Sequence, residues 1–196
     1  MSFRSAAIGL SCIIVLIPPA YADGLPSMAL GTGLAAAKAT KLAGNDAARL
    51  ICSDGTETVT MNAMQFSASA LGNGIDGEAS CRLFVAGGTS WTEADGKLAD
   101  VAAHVALNFV VPAPGKEPLL YEVIGDAAPE DYPAAITSIT ASYGAPQSSG
   151  RSGPGMQTVW QTDKLKIVLT QKDAYSGMME IDYLDNDLEQ IALGLL

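Results

Sequence analysis

An α+β fold, with helices packed on antiparallel sheet, is what this chain predicts, and three observations carry that expectation. Val101, Ala103, Val105, Leu107 and Phe109 alternate with Ala102, His104, Ala106 and Asn108, the period of a strand buried on one face. Tyr132, Ile136, Ile139 and Tyr143 recur at helical spacing; Gly144 closes the run and Pro146 lies just beyond. Three short segments at 157–161, 165–171 and 178–183 are rich in strand formers and separated by turn residues, the pattern of an antiparallel meander.

The elements follow in order. Arg4 gives a short positive start, and 6–17 is an apolar run broken by Gly9 and Ser11. Pro18 and Pro19 end it before Ala20-Tyr21-Ala22, a small-x-small cleavage site. About 12 apolar residues are too few to cross a hydrocarbon core of ~30 Å, so the run reads as a signal peptide. Cleavage between Ala22 and Asp23 then sends the chain to an oxidising compartment, most simply a bacterial periplasm or the exterior. Thr32 reads as the N-cap of a helix over 33–42, ended by Gly44-Asn45-Asp46. Strands are expected at 48–53 and 57–61 around an Asp54-Gly55 turn, and again at 81–85. The glycine-containing stretch 71–80 and the segment around Gly87-Gly88-Thr89-Ser90 read as loops.

Residues 97–111 read as extended, with helix as the alternative over the alanine-rich first half. Pro112-Ala113-Pro114-Gly115 breaks the chain, and 119–124 resumes a strand. The 130–143 helix follows, then a Ser/Gly-rich stretch at 147–155 that reads as flexible. Asn186 and Glu189 have the spacing of a capping box for a last short helix, with 191–196 docking on the core. The order suggests two similar helix-then-strands units. The domain plan is a signal peptide at 1–22, a first α+β unit at 23–111, a linker at 112–118 and a second unit at 119–196.

Composition narrows the partners. The chain carries a net charge of −10, and signal cleavage removes Arg4 and makes it one unit more acidic. Such a surface repels nucleic acid and anionic lipid and favours solubility or a basic partner. Of three cysteines, Cys12 lies inside the apolar run with Gly9 where a lipoprotein signal carries leucine. Cys52 and Cys81 remain as an even pair, each in a strand-like segment, so a structural disulfide is expected. A C-x-x-C redox arrangement is absent.

Gly125, the helix after it, Tyr143-Gly144-Ala145-Pro146 and Val159-Trp160-Gln161 together resemble the helix, G-x-P corner and following strand of small BamE-like and β-lactamase-inhibitor-like envelope proteins. Met28-Ala29-Leu30-Gly31-Thr32 resembles the opening of the same module. The resemblance implies two α+β units and a binding or assembly role toward a protein or envelope component. The first unit departs from it in lacking the G-x-P corner.

No residue set spells out a reaction. His104 is the single histidine and the candidate base of a hydrolase, but no G-x-S-x-G elbow accompanies it; Gly150-Arg151-Ser152-Gly153-Pro154 lacks that context. Asp182, Asp185, Asp187 and Glu189 are the best metal candidates, yet without regular loop spacing they read as helix capping and solvation. Asn73-Gly74-Ile75-Asp76-Gly77-Glu78 reads as a turn, and Glu130 and Asp131 as favourable charge at a helix start. Trp160 reads as core. Trp91 falls in a polar segment; it reads as core, with a contact surface as the alternative if it is exposed. The expectation is a non-enzymatic binding module without metal or cofactor.

Overall fold

The computed structural model describes residues 28–40, 47–53, 78–87, 90–153, 155–172 and 177–194. The signal segment with Ala22 and Asp23, Cys12, the 57–61 strand, and the turns at 44–46 and 73–77 lie outside them.

Among the described residues ten strands make one antiparallel sheet: β1 (Ala48–Cys52), β2 (Glu78–Gly87), β3 (Ser90–Glu93), β4 (Asp95–Leu98), β5 (Val101–Val110), β6 (Leu119–Ala127), β7 (Ser148–Ser152), β8 (Gly155–Gln161), β9 (Leu165–Gln171) and β10 (Met179–Asp185). Their order is β1-β2-β5-β6-β10-β9-β8-β7, with β3 joined to β2 and β4 to β5. Among the described residues three short helices accompany it: α1 (Leu34–Ala39), α2 (Tyr132–Tyr143) and α3 (Asn186–Ala192). The fold is therefore mainly β. The α+β expectation holds in its coarser sense, helices on antiparallel sheet. The strand share rises because segments that read as loops are strands.

Three of those segments show why. Glu78–Ser80 extend β2, because each pairs with a residue of β5. Trp91 lies in β3 and pairs with Ala86. The Ser/Gly stretch becomes β7, paired with β8 from Ser148↔Val159 to Ser152↔Gly155. Serine and glycine have little strand preference of their own; a neighbouring strand with unfilled hydrogen bonds imposes the conformation. The stretch 112–118 is the connection of the β5–β6 hairpin, and β5 pairs with β6 from Ala103 to Val110, so one sheet runs through it.

The alternation of β5 reads as the sequence suggests. Val101, Ala103, Val105, Leu107 and Phe109 are buried on the inner face, while Ala102 and His104 are exposed on the outer one. The inner face continues through Leu83, Val123, Ile181, Ile167 and Trp160, all buried. Leu34 and Ala37 of α1 and Ala135 and Ile139 of α2 cover it. Burying an Ile or Leu side chain contributes roughly 1.5–3 kcal/mol, so this face supplies most of the folding drive. Gly125 serves that packing. A Cβ there would come within 2.7 Å of Leu98 Cδ2, so glycine lets the β4–β5 turn lie against β6.

The helix ends differ from the expected ones by a residue or more. Gly33, not Thr32, precedes α1; Thr32 Oγ1 donates to Ala29 O, and the Ala35 N–H donates to Glu117 Oε1 instead. A distant carboxylate thus satisfies the helix start, which local spacing cannot announce. At α3 the cap is Asp185, whose Oδ1 accepts from the N–H groups of Asp187 and Leu188, rather than the Asn186–Glu189 box. A 3-10 turn at Pro129–Asp131 leads into α2. At its other end Gly144 takes a φ of 83°, and its carbonyl accepts the Trp160 Nε1–H at 3.0 Å. The β4–β5 hairpin turns through Ala99 and Asp100, both with positive φ. This left-handed geometry suits glycine, and here Ser138 of α2 holds it by donating to Asp100 Oδ2 at 2.9 Å. The hydrogen bonds of Lys97 and Ser138 hold the Asp100 carboxyl below its usual range.

Candidate functional site

Cys52 and Cys81 stand directly opposite each other on β1 and β2 and are bonded, with both side chains fully buried on the inner face. The bond closes a span of 29 residues and ties the terminal strand β1 to the sheet. Its surroundings are Leu50, Leu83 and Leu107, all apolar. This is a structural position, shielded from any thiol in solution.

The outer face is where polar chemistry gathers. Because side chains alternate, Ser80, Asn108, Glu122 and Asp182 share this face on β2, β5, β6 and β10. Ser80 Oγ donates to Asn108 Oδ1 at 2.6 Å, and Asn108 Nδ2 donates to Glu122 Oε2. Asp182 stands one diagonal step away, opposite Ile124. Its Oδ1 is inaccessible and has no hydrogen-bond partner among the described residues. Burial pushes the Asp182 carboxyl up to about 8, and the neighbouring charges of Glu122 and Glu180 add to the shift while Lys166 opposes it. Burial also raises Glu122, against the hydrogen bond from Asn108. Tyr121 sits at the register irregularity of β6 and is likewise raised, first by burial and then by Glu122, Glu78, Asp182 and Glu189.

The four acids that read as one cluster in sequence separate into different roles. Asp185 caps α3, Asp187 pairs with Lys164, Glu189 lies near Glu122 on the sheet, and Asp182 is inside the outer-face row. Among the described residues no group of three or more His, Cys, Asp and Glu is arranged to hold a metal ion. Glu130 and Asp131 occupy the turn before α2, far in role from any cleft.

His104 lies on the outer face opposite Asp126, and its Nδ1 is 2.8 Å from Asp95 Oδ1. Both side chains are more than half exposed, at 56% and 58%. A base and an orienting carboxylate are thus adjacent on an open strand surface. Among the described residues no serine or threonine hydroxyl is hydrogen-bonded to His104, and a nucleophile at that distance is what a hydrolase would need. A small groove beside the Gly144 corner is lined by Tyr143, Gln147, Trp160 and Leu165, and its lining carries no carboxylate, histidine or cysteine.

Trp91 is half-buried, with the Arg49 guanidinium 4.1 Å above its ring, a cation–π contact between β3 and β1. Arg82 of β2 pairs with Glu93 nearby at 3.2 Å. Part of the ring is therefore occupied by a neighbour rather than offered to solvent.

Among the described residues the far edge of the sheet is β7, and all five of its residues are exposed. Behind it, Thr158 is buried and hydrogen-bonded to both Ser149 Oγ at 3.0 Å and Tyr132 Oη at 2.9 Å, which locks the hairpin to α2. Neither this edge nor the Ser80–Asn108–Glu122 row is announced by a local sequence pattern. The signal that could have found the row is the shared parity of 78, 80, 108, 122 and 182 once the strand register is known. Among the described residues no helix is long and apolar enough to cross a membrane. Comparison with protein-family models, with curated proteins and with solved structures finds nothing that matches this chain.

Proposed function

We propose that the protein is an exported, non-enzymatic module, cleaved after Ala22, that binds a protein or envelope component in the periplasm or outside the cell. The observation that carries the binding part is the edge at β7, which is open among the described residues. An edge strand presents unpaired N–H and C=O groups, and natural sheets usually blunt such edges with lysine, proline or a covering element. β7 carries Arg151 as its single charge and contains no proline. An extended segment of a partner can add to such an edge as a further strand. The buried disulfide fits an oxidising compartment, and the acidic surface disfavours nucleic acid as the partner. A relation to BamE-like and β-lactamase-inhibitor-like envelope proteins belongs to the same proposal, supported by the Gly144-Ala145-Pro146 corner that Trp160 clasps. So does the reading of two similar units, supported by α1 ahead of β1–β5 and α2 ahead of β7–β10.

The test follows from the register. In a hairpin closed by two residues, the flanking pair exchanges hydrogen bonds and bonding alternates outward from it. Counted from Ser152↔Gly155, Ser149 and Arg151 turn their N–H groups to the open side. Arg151→Pro removes one of those donors. Immobilised mature protein is expected to retain a partner from envelope extract, and Arg151→Pro to lose it with an unchanged melting temperature. Equal capture by the variant would contradict docking at the edge; no capture by either would contradict the binding role.

A further inference from the structure

The last helix is attached unlike the other two. α3 follows β10 directly and rests on β5, β6 and β10, yet none of its residues is buried. Polar contacts at its N-terminal end hold it: the Asp185 cap, the Lys164–Asp187 ion pair, and Asn186 Nδ2 donating to Thr162 O at 2.9 Å. Its body lies over the acidic row. Glu189 acts on Tyr121, Glu122 and Asp182 from above. From the sheet, Asp182 is faced by Glu122 of β6, Glu180 of its own strand and Lys166 of β9, while Glu78 of β2 acts on Glu122 and Tyr121. Asn108 of β5 supplies a neutral donor to Glu122. Among the described residues Lys166 is thus the cation that opposes the carboxyls around Asp182.

We propose that α3 is a pH-responsive flap, seated on the sheet while Asp182 holds a proton and released when that proton is lost. Asp182 Oδ1 is inaccessible and, among the described residues, unpartnered beside Glu122 and Glu180, and like charges in a partly desolvated site repel strongly, which favours its neutral form. Proton loss leaves a charge on this inaccessible, unpartnered carboxyl of β10, the strand that α3 follows and rests on. Glu189 adds to the repulsion, while the side chains of α3 are at most half-buried. Lifting the helix gives Asp182 water. A seven-residue helix off its surface is too short to persist, since isolated helices under ~12 residues are marginal in water. Release should therefore appear as loss of helix, which distinguishes it from a mere change of charge. It would uncover the Ser80–Asn108–Glu122 row.

Carbon-detected NMR of the mature protein reads both events. The Asp182 carboxyl carbon reports the proton, and the Cα shifts of 188–191 report helix content. On raising the pH from 6 to 9, the helical shifts of 188–191 are expected to fall by more than half, with the midpoint of the Asp182 carboxyl, while β9 stays strand. In Asp182→Asn the helix should persist at pH 9, and in Glu189→Gln the Asp182 midpoint should move downward, with a smaller loss of helix. Helical shifts that stay constant to pH 9 would overturn the flap, as would the same loss of helix in Asp182→Asn, or a loss shared by β9.

Discussion

Replacing Cys52 and Cys81 together with alanine should lower the unfolding free energy by about 3–4 kcal/mol. The bond closes 29 residues of chain, and the entropy of the unfolded state restricted by a loop of that size amounts to about 3.5 kcal/mol. Both sulfurs are fully buried, so their removal also leaves unfilled space on the inner face of β1 and β2. The loss should concentrate at β1, because β2 is the strand it pairs with and α1 is its other contact. Urea unfolding of the oxidised parent and the double variant measures the difference. A change under ~1 kcal/mol would show that β1 is held by its pairing alone.

The second large effect is a pH dependence centred on Asp182. Its carboxyl titrates at about 8 in the folded chain and at the ordinary aspartate value of 3.8 when unfolded. Between those values the native state holds a proton that the unfolded state has lost. Stability must then fall as pH rises through that window and level off above it. A tenfold difference in proton affinity between the two states is worth about 1.4 kcal/mol, so the contribution is on the order of 3 kcal/mol or more. Asp182→Asn keeps the shape and removes the charge. It should match the parent near pH 4 and exceed it by ~3 kcal/mol at pH 9, in urea unfolding at each pH. Parallel pH profiles for the two proteins would place the titrating group elsewhere.

How far the sequence could be read depends on which signals are local. The alternation from Val101 to Phe109 announces β5, because each inward position carries an apolar side chain. The Tyr132–Tyr143 helix and its Gly144 stop are equally local, and so is the pairing of the last two cysteines. β7 was not legible. Ser148, Ser149, Gly150, Arg151 and Ser152 carry no hydrophobic pattern, and β8 alone makes them a strand. The segment around Trp91 reads as loop for the same reason, since β3 exists through its pairing with β2. The outer-face row was hidden more deeply. Ser80, Asn108, Glu122 and Asp182 are far apart in the chain, and only the register of β2, β5, β6 and β10 puts them side by side. Asp182 drew attention as one of four nearby acids, but strand parity separates it from Asp185, and the cap of α3 claims the latter.

Export and disulfide closure are the foundation of the functional proposal, and one intact mass tests both. Protein recovered from the periplasm, unreduced, should have the mass of residues 23–196 less two hydrogen atoms, the chain from Asp23 with Cys52 and Cys81 bonded. A chain that retains Met1, or one that begins at Asp23 with both thiols reduced, would contradict the account.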